Sequence, residues 1–406
     1  MNFAEPFAVQ LHIYHQVRGL QQTGHNVSLV ALQGRRVLCT GNLQVFQHKN
    51  LPQNDFGELG LSGAKLLKVF ESAIRKVQRT LNLPYLALFD SYRTYDACCQ
   101  SLQGYDVIHE RLSLLAIGGA WASRKLGIPY VLEVNADLLE ERQAQEKTER
   151  GIRRLFAVWA TRFCFDRASR IICVSAQLKD HLVQKWEIDA GKIEVLPNAA
   201  DTEAFGRQYD TQSIRCQLEL KDEPVVMFVG GFYLWHDLGL LVRSFSQIVR
   251  AVPNAKLVLV GDGRTRPMVE QVIAEEKLQS AVMLTGPVEH RRVPEMLAIA
   301  DVAVAPNISF FDGHGGSPLK IYEYMAAGKA IVATNTGQVA EVIQDGHSGV
   351  LVEAGDEVGF AEATINLLND PPARDRLGQQ ARKQAVKHHS WRQYISKLEK
   401  IYASIL

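Results

Sequence analysis

Residues 312–328 read DGHGGSPLKIYEYMAAG. Gly313, Gly315 and Gly316 free the backbone to approach a ligand closely. Ser317 predicts an N-cap, Pro318 a first helical residue and Gly328 the helix end. The preceding run DVAVAP at 301–306 predicts a short buried strand. A glycine loop between a strand and a helix start lies where open parallel sheets receive ligands. Its unpaired N–H groups and the positive end of the helix dipole suit an anion, and a diphosphate fits best. Glu323 falls about 9 Å further along the axis at a rise of 1.5 Å per residue. A carboxylate there repels phosphate but accepts two hydrogen bonds from a ribose diol. An ordinary loop followed by a solvated helix carries the same letters, so the rest of the chain has to decide.

At 406 residues the chain is long enough for two or three domains, and 47% hydrophobic with 22% charged residues is a globular composition. A formal charge of +1 gives no footprint for nucleic acid, so no nucleic-acid partner is expected. The longest apolar run, 112–123, is closed off by Arg111 and Arg124 and is too short for a bilayer span. The opening MNFAEPF lacks a basic n-region and does not read as a secretory signal. Six cysteines without C-x-x-C spacing read as thiols of a reducing compartment, hence a cytoplasmic location. No H-E-x-x-H, P-loop, G-x-S-x-G or pair of aspartates two apart occurs, so neither a metal nor another cofactor is expected.

Strand and helix patterns alternate, which predicts parallel sheets wrapped by helices. Helices are expected at 7–22 and 65–79, and strands at 26–32, 107–110, 130–135 and 170–174. In the second half, strands are expected at 225–229, 256–260, 282–284, 302–305 and 330–333. The polar stretch after Pro197 and Asn198 makes 193–205 a hinge. Ser390 with Gln393 forms a capping box, and Trp391, Tyr394, Leu398, Ile401, Tyr402 and Ile405 share a face that needs a partner surface.

The segments VVMFVGGFYLWHD (225–237), KLVLVGDG (256–263), LTGPV (284–288), ADVAVAP (300–306), GSPLKIYEYMAAGKAIVATNTG (316–337) and DGHSGVLVEAGD (345–356) resemble, in order and spacing, the family-4 retaining glycosyltransferases. VLPNAAD (195–201), GHNVSLV (24–30) and LGIPYVLEVNA (126–136) match the same family more loosely. The resemblance implies the α/β GT-B fold, with two Rossmann-like domains whose parallel sheets face a central cleft. It puts an acceptor-side domain at 1–200, a nucleotide-sugar domain at 201–389, and a helix at 390–406 packing back towards the first domain. It also implies transfer, with retained anomeric configuration, from a UDP- or GDP-sugar to a glycan, lipid-linked or other hydroxyl acceptor. Glu323 matches the second glutamate of the family's E-x7-E motif and is expected at the ribose. The backbone of Gly230, Gly231, Gly316, Ser317, Pro318 and Leu319 is expected at the diphosphate, the region from Gly286 to Val288 at the base, and Lys320 folded back to the phosphates or solvated.

The departures from the family pattern set further expectations. Gly315 stands at the first glutamate, leaving Asp312 or His314 to reach the donor sugar. Gly231 stands at the usual arginine and His236 at the usual lysine. A cationic His236 predicts donor affinity falling between about pH 6 and 8, whereas a histidine beside the Asp237 N-cap predicts no such effect. Glu133 and Asn135 end a strand on the acceptor side. Asn135 replaces a common histidine and can orient a hydroxyl but cannot take its proton, which in a front-face reaction passes to the leaving phosphate. His109, Glu110 and Arg111 end another strand and either touch the acceptor or are ordinary surface polarity. Relatives begin with a strand and glycine-rich loop that this chain starts without. Catalysis is therefore assigned to Glu323, Asn135 and Lys320, with a nucleotide-binding pseudoenzyme or assembly subunit, or a nucleotide-sugar epimerase, as rivals. The arginine-rich helix around Ile152, Phe156, Trp159 and Phe163 either rests on an anionic membrane as a peripheral contact or packs in the core with solvated arginines.

Overall fold

The computed structural model describes residues 8–33, 36–40, 57–58, 65–80, 87–144, 148–308 and 317–406. Asp312, Gly313, His314, Gly315 and Gly316, with the first seven residues, lie outside the described set. The chain forms two compact units, one of Met1–Leu196 with Ile395–Leu406 and one of Pro197–Tyr394.

In the first unit, β1 (Leu29–Gln33), β2 (Arg36–Thr40) and β3 (Gly57–Glu58) make an antiparallel sheet. The strands β4 (Ile108–Arg111), β5 (Tyr130–Val134), β6 (Arg170–Cys173) and β7 (Ile193–Val195) make a parallel one in that order. The alternation of elements had predicted only parallel pairing for the strand at 26–32. Just two residues separate β1 from β2, which permits a hairpin and forbids a crossover. The expected hinge begins later than predicted, because Ile193–Val195 pairs with β6. Side chains alternate along β4, so His109 and Arg111 turn towards Glu133 on β5 while Glu110 does not. The Glu110 carboxylate instead accepts the Tyr130 hydroxyl at 2.5 Å and the N–H groups of Gly119 and Ala120 at the start of the helix Gly118–Leu126. Burial pushes its pKa up. Glu110 thus secures a helix and is removed from the acceptor side.

The second unit holds one parallel sheet of β8 (Val225–Val229), β9 (Lys256–Val260), β10 (Val282–Gly286), β11 (Val302–Ala305), β12 (Ala330–Thr334) and β13 (Val350–Val352). Their order is β10-β9-β8-β11-β12-β13, the doubly wound arrangement with its topological switch between β8 and β11. The apolar runs VVMFV and VAVA are buried throughout, as strands covered on both faces must be. Their side chains alternate between two cores: Met227, Val258 and Ala303 face one, and Phe228, Leu257 and Val304 the other.

Glycines join the strand ends at the switch. Gly230 and Gly261 have φ of +149° and +140°, outside the ordinary range of other residues. Gly230 N–H bonds Val260 O at 2.9 Å, and Gly261 N–H bonds Gly286 O at 3.0 Å. A Cβ on Gly261 would collide with the Gly230 carbonyl. Gly261→Ala should therefore cost about 2–3 kcal/mol, a fall in Tm of roughly 4–12 °C for a unit of this size by scanning calorimetry. An unchanged Tm would mean that these loops are not pressed together.

Candidate functional site

The helix that follows the glycine loop is Leu319–Ala326, and every residue from Lys320 to Ala326 is buried. It starts one residue later than the sequence predicts, with Pro318 at the N-cap position and no side-chain cap. Ser317 does not cap because its groups are taken: its Oγ pairs with the Tyr322 hydroxyl at 3.2 Å, and its carbonyl accepts from Asn198 Nδ2 at 3.1 Å. Gly328, with φ of +65°, ends the helix as expected.

Lys320 Nζ lies 3.9 Å from the centroid of the Phe228 ring, and a Cβ built on Gly230 would sit only 2.8 Å from it. This ammonium is buried and has no hydrogen-bond partner among the described residues. Burial drives its pKa well below the usual lysine value, with Glu323 offsetting only part. His236 is buried too, 5.5 Å from Phe228, with Nδ1 2.6 Å from the carbonyl of Gly231. Burial, then the charge of Lys320, lowers its pKa well below the histidine range, and the bond to Gly231 does not compensate. Burial thus runs against a cationic His236 and agrees with the alternative of a histidine beside the Asp237 N-cap. The imidazole spends its N–H on Gly231, and Lys320 is the second buried basic group at the switch point. A side chain on Gly231 would collide with the Tyr233 ring, so the space a larger residue would use is filled.

One turn beyond Lys320, Glu323 Oε1 accepts from His290 Nε2 at 2.6 Å. His290 sits in the short 3-10 turn His290–Arg292 after β10. Burial alone would lower its pKa, but the Glu323 charge and hydrogen bond win and raise it. The second carboxylate oxygen of Glu323 retains accepting capacity for a ligand hydroxyl. Sequence reading missed His290, which stands beside the flagged 286–288 region but meets Glu323 only through the fold. Gly286 has φ of +71° with open space at its Cα, whereas Val288 leans on the core. Gly230, Gly231, His236, Lys320, Glu323 and the Ser317–Leu319 turn thus surround one end of the second sheet. Gly315 and Gly316 lie outside the described residues.

In the first unit, Glu133 is 2% exposed. Its Oε1 accepts Asn135 Nδ2 at 2.7 Å and lies 3.7 Å from Arg111 Nη1. Its Oε2 faces His12 Nε2 at 3.3 Å, Gln16 Nε2 at 3.5 Å and His109 Nε2 at 3.5 Å. Burial would raise this carboxyl, but His12 and His109 hold it well below the usual range. Tyr402 closes the cluster, its hydroxyl 2.6 Å from His109 Nδ1. Asn135 spends one amide N–H on Glu133, and no bond to its carbonyl oxygen is formed among the described residues. No pattern in the sequence joins residues 12, 109, 133 and 402.

Asp137, Glu140 and His181 also bring ligand-type atoms within 4.8 Å of one another. Lys185 Nζ already bridges the two carboxylates at 2.9 and 2.5 Å, and Trp186 Nε1 donates to Asp137 at 2.9 Å. An ammonium supplies the positive charge that a metal would bring.

Comparison with known proteins gives this geometry a family. Residues 9–204 match the model Glycosyltransferase Family 4, and residues 210–384 match Glycosyl transferases group 1. Among curated relatives, the alpha-D-kanosaminyltransferase of Streptomyces kanamyceticus is 26% identical over 64% of this chain and 66% of its own, just under two thirds of its length. The UDP-Gal:alpha-D-GlcNAc-diphosphoundecaprenol alpha-1,3-galactosyltransferase of Escherichia coli is 25% identical over 66% of this chain and 67% of its own. Among solved structures, Anabaena Alr3699/HepE in complex with UDP superposes with a TM-score of 0.63 at 19% identity, covering 82% of this chain and 89% of that one. Sucrose-phosphate synthase from Thermosynechococcus elongatus gives 0.66 at 19% identity, covering 98% and 94%. With a glycosyltransferase model on each half and this likeness of fold, the chain belongs to the family-4 glycosyltransferases and has their GT-B fold.

Proposed function

We propose that the chain moves a sugar from a UDP-sugar to a hydroxyl acceptor with retention of anomeric configuration, without a protein-bound metal, and that Lys320 is the cation that holds the diphosphate. The observation that carries the proposal is the buried, unpartnered ammonium of Lys320 at the switch point, one turn from Glu323. An arriving diphosphate supplies the missing counter-charge, while Glu323, steadied by His290, accepts from the ribose diol. As the glycosidic bond breaks, charge grows on the leaving phosphate, where the Lys320 ammonium, its pKa restored by the bound diphosphate, stabilises it. The acceptor proton passes to that phosphate, so Asn135 needs only to orient the hydroxyl through its carbonyl oxygen. UDP in the HepE complex and in the name of the Escherichia coli relative supports uracil over guanine. The same relative supports a glycan or lipid-linked acceptor.

One observation favours a second reading. With Gly231 closed off by Tyr233 and His236 neutral, the loop after β8 offers no side-chain cation, as in a protein that binds nucleotide without turning it over. A donor-hydrolysis assay beside calorimetry separates the two, since binding without turnover supports the pseudoenzyme.

Diphosphate binding restores the Lys320 pKa, so UDP should take up a proton at any pH between the depressed free value and the restored one. Affinity should fall as pH rises through that window. Calorimetry in buffers of different ionisation enthalpy reads the uptake. Lys320→Met should abolish it and lower kcat about 10²–10³-fold, whereas uptake that persists in this variant would remove Lys320 from the phosphates.

Glu323→Ala should weaken UDP binding by about 1–3 kcal/mol, roughly 5- to 150-fold. An unaltered affinity would place the ribose elsewhere.

The His290–Glu323 pair raises a folded-state histidine pKa, so its stabilisation is full below the ordinary value of about 6.5 and is lost as pH rises through the raised one. His290→Phe should flatten the decline of stability with pH across that window in denaturant titrations. An identical pH profile in the variant would show that the pair is not charged.

A further inference from the structure

The helix Gly151–Arg167 carries two apolar stripes, and only one of them faces the protein. Ala157, Ala160, Thr161, Cys164 and Phe165 are buried in the first unit. On the opposite side Ile152, Leu155 and Trp159 are 58%, 70% and 49% exposed. They follow the 3-, 4- and 7-residue spacing of a single helical face, and Phe156 and Phe163 flank Trp159 with ring centroids at 5.3 and 5.7 Å. The two expectations set from the sequence are therefore not exclusive, because the core takes one face and leaves large side chains on the other. Isolated exposed apolar residues are ordinary, but a stacked row of this kind marks a contact surface.

The charges beside the row identify its partner. Glu149 is consumed by Arg142 and Arg153, and Asp166 by Arg162. Arg150 and Arg154 are exposed and make no ion pair among the described residues. The neighbouring helix Gly118–Leu126 packs against this one and adds an exposed Trp121 with Arg124 and Lys125 on its own outer side. Aromatic and aliphatic side chains beside unpaired cations are complementary to an anionic lipid surface, with rings at headgroup depth and arginines at phosphates. Among the described residues no helix is long and apolar enough to cross a membrane, so such a surface would be held from one side.

We propose that the outer face of Gly151–Arg167 docks the protein on anionic membrane. The inference deepens the proposed transfer by placing a lipid-linked acceptor at that surface, but its test does not depend on turnover. The purified full chain is sedimented with phosphatidylcholine vesicles, with and without phosphatidylglycerol. Binding is expected only with phosphatidylglycerol and should weaken as salt shortens the Debye length to about 3 Å. Leu155→Glu should reduce vesicle partitioning at least about tenfold, and Arg150→Glu and Arg154→Glu about fivefold each. Val386→Glu, at a 47% exposed apolar site in the other unit, should leave it unchanged. Tm and UDP affinity are read for each variant, so that unfolding or a failed donor site is separated from lost docking. Equal binding to both vesicle types, or partitioning unaffected by Leu155→Glu, overturns the proposal. So does a change of oligomeric state in Leu155→Glu by sedimentation velocity, which would assign the face to a second copy.

Discussion

The second unit is organised around a lysine side chain withdrawn from water and given nothing to bond among the described residues. Leaving a buried polar group unsatisfied costs about 1–3 kcal/mol, and more for a charge. Lys320 is nonetheless placed there by its helix neighbours Ile321, Tyr322, Tyr324 and Met325, which are locked into the core. Tyr324 is itself tied to β8, its hydroxyl accepting the Val229 N–H at 2.8 Å. The Phe228 ring and the bare Cα of Gly230 are what the ammonium meets. Such strain at the carboxyl ends of parallel strands is relieved by an anion, which is why the fold and the proposed chemistry depend on the same residue.

This arrangement also explains why the loop after β8 lacks side-chain cations. Lys320 lowers the pKa of His236, so a second positive charge beside it is opposed by the first and by burial. With Gly231 carrying no side chain, Tyr233 fills the vacated space. Lys320 stands on the helix that follows β11, on the other side of the same switch point from the β8 loop. Glu323 is arranged in the opposite sense, with His290 Nε2 lying 2.6 Å from its Oε1.

Much of this was legible because it is written locally. Continuous apolar runs ending in glycine announced β8 and β9, a run ending in proline announced β11, and Gly328 announced the end of a helix. Glu323 and Lys320 were visible as members of that helix. What escaped depended on distant partners. Ser317 is a good N-cap by type, yet Tyr322 and Asn198 claim its groups first. His236 looks like a titrating cation until burial is known. His290 and Glu323 are brought together across two strands of the sheet order, and the Glu133 cluster gathers residues from opposite ends of the chain. The antiparallel β1–β2 pairing was within reach of the sequence, since a two-residue gap cannot hold a crossover, but the alternation of elements elsewhere concealed it.

The Glu133 cluster shows the converse design: a carboxylate surrounded by donors, whereas the Lys320 ammonium meets no acceptor among the described residues. A carboxylate met by several donors holds its surroundings in place, and an unpaired ammonium is open to an anionic ligand. The most direct test is a crystal structure of the chain with UDP. Lys320 Nζ should lie within about 3.2 Å of a diphosphate oxygen, and the Glu323 carboxylate should accept from the ribose diol. A diphosphate bound away from the helix Leu319–Ala326, or Lys320 still unpartnered with UDP in place, would contradict the assignment.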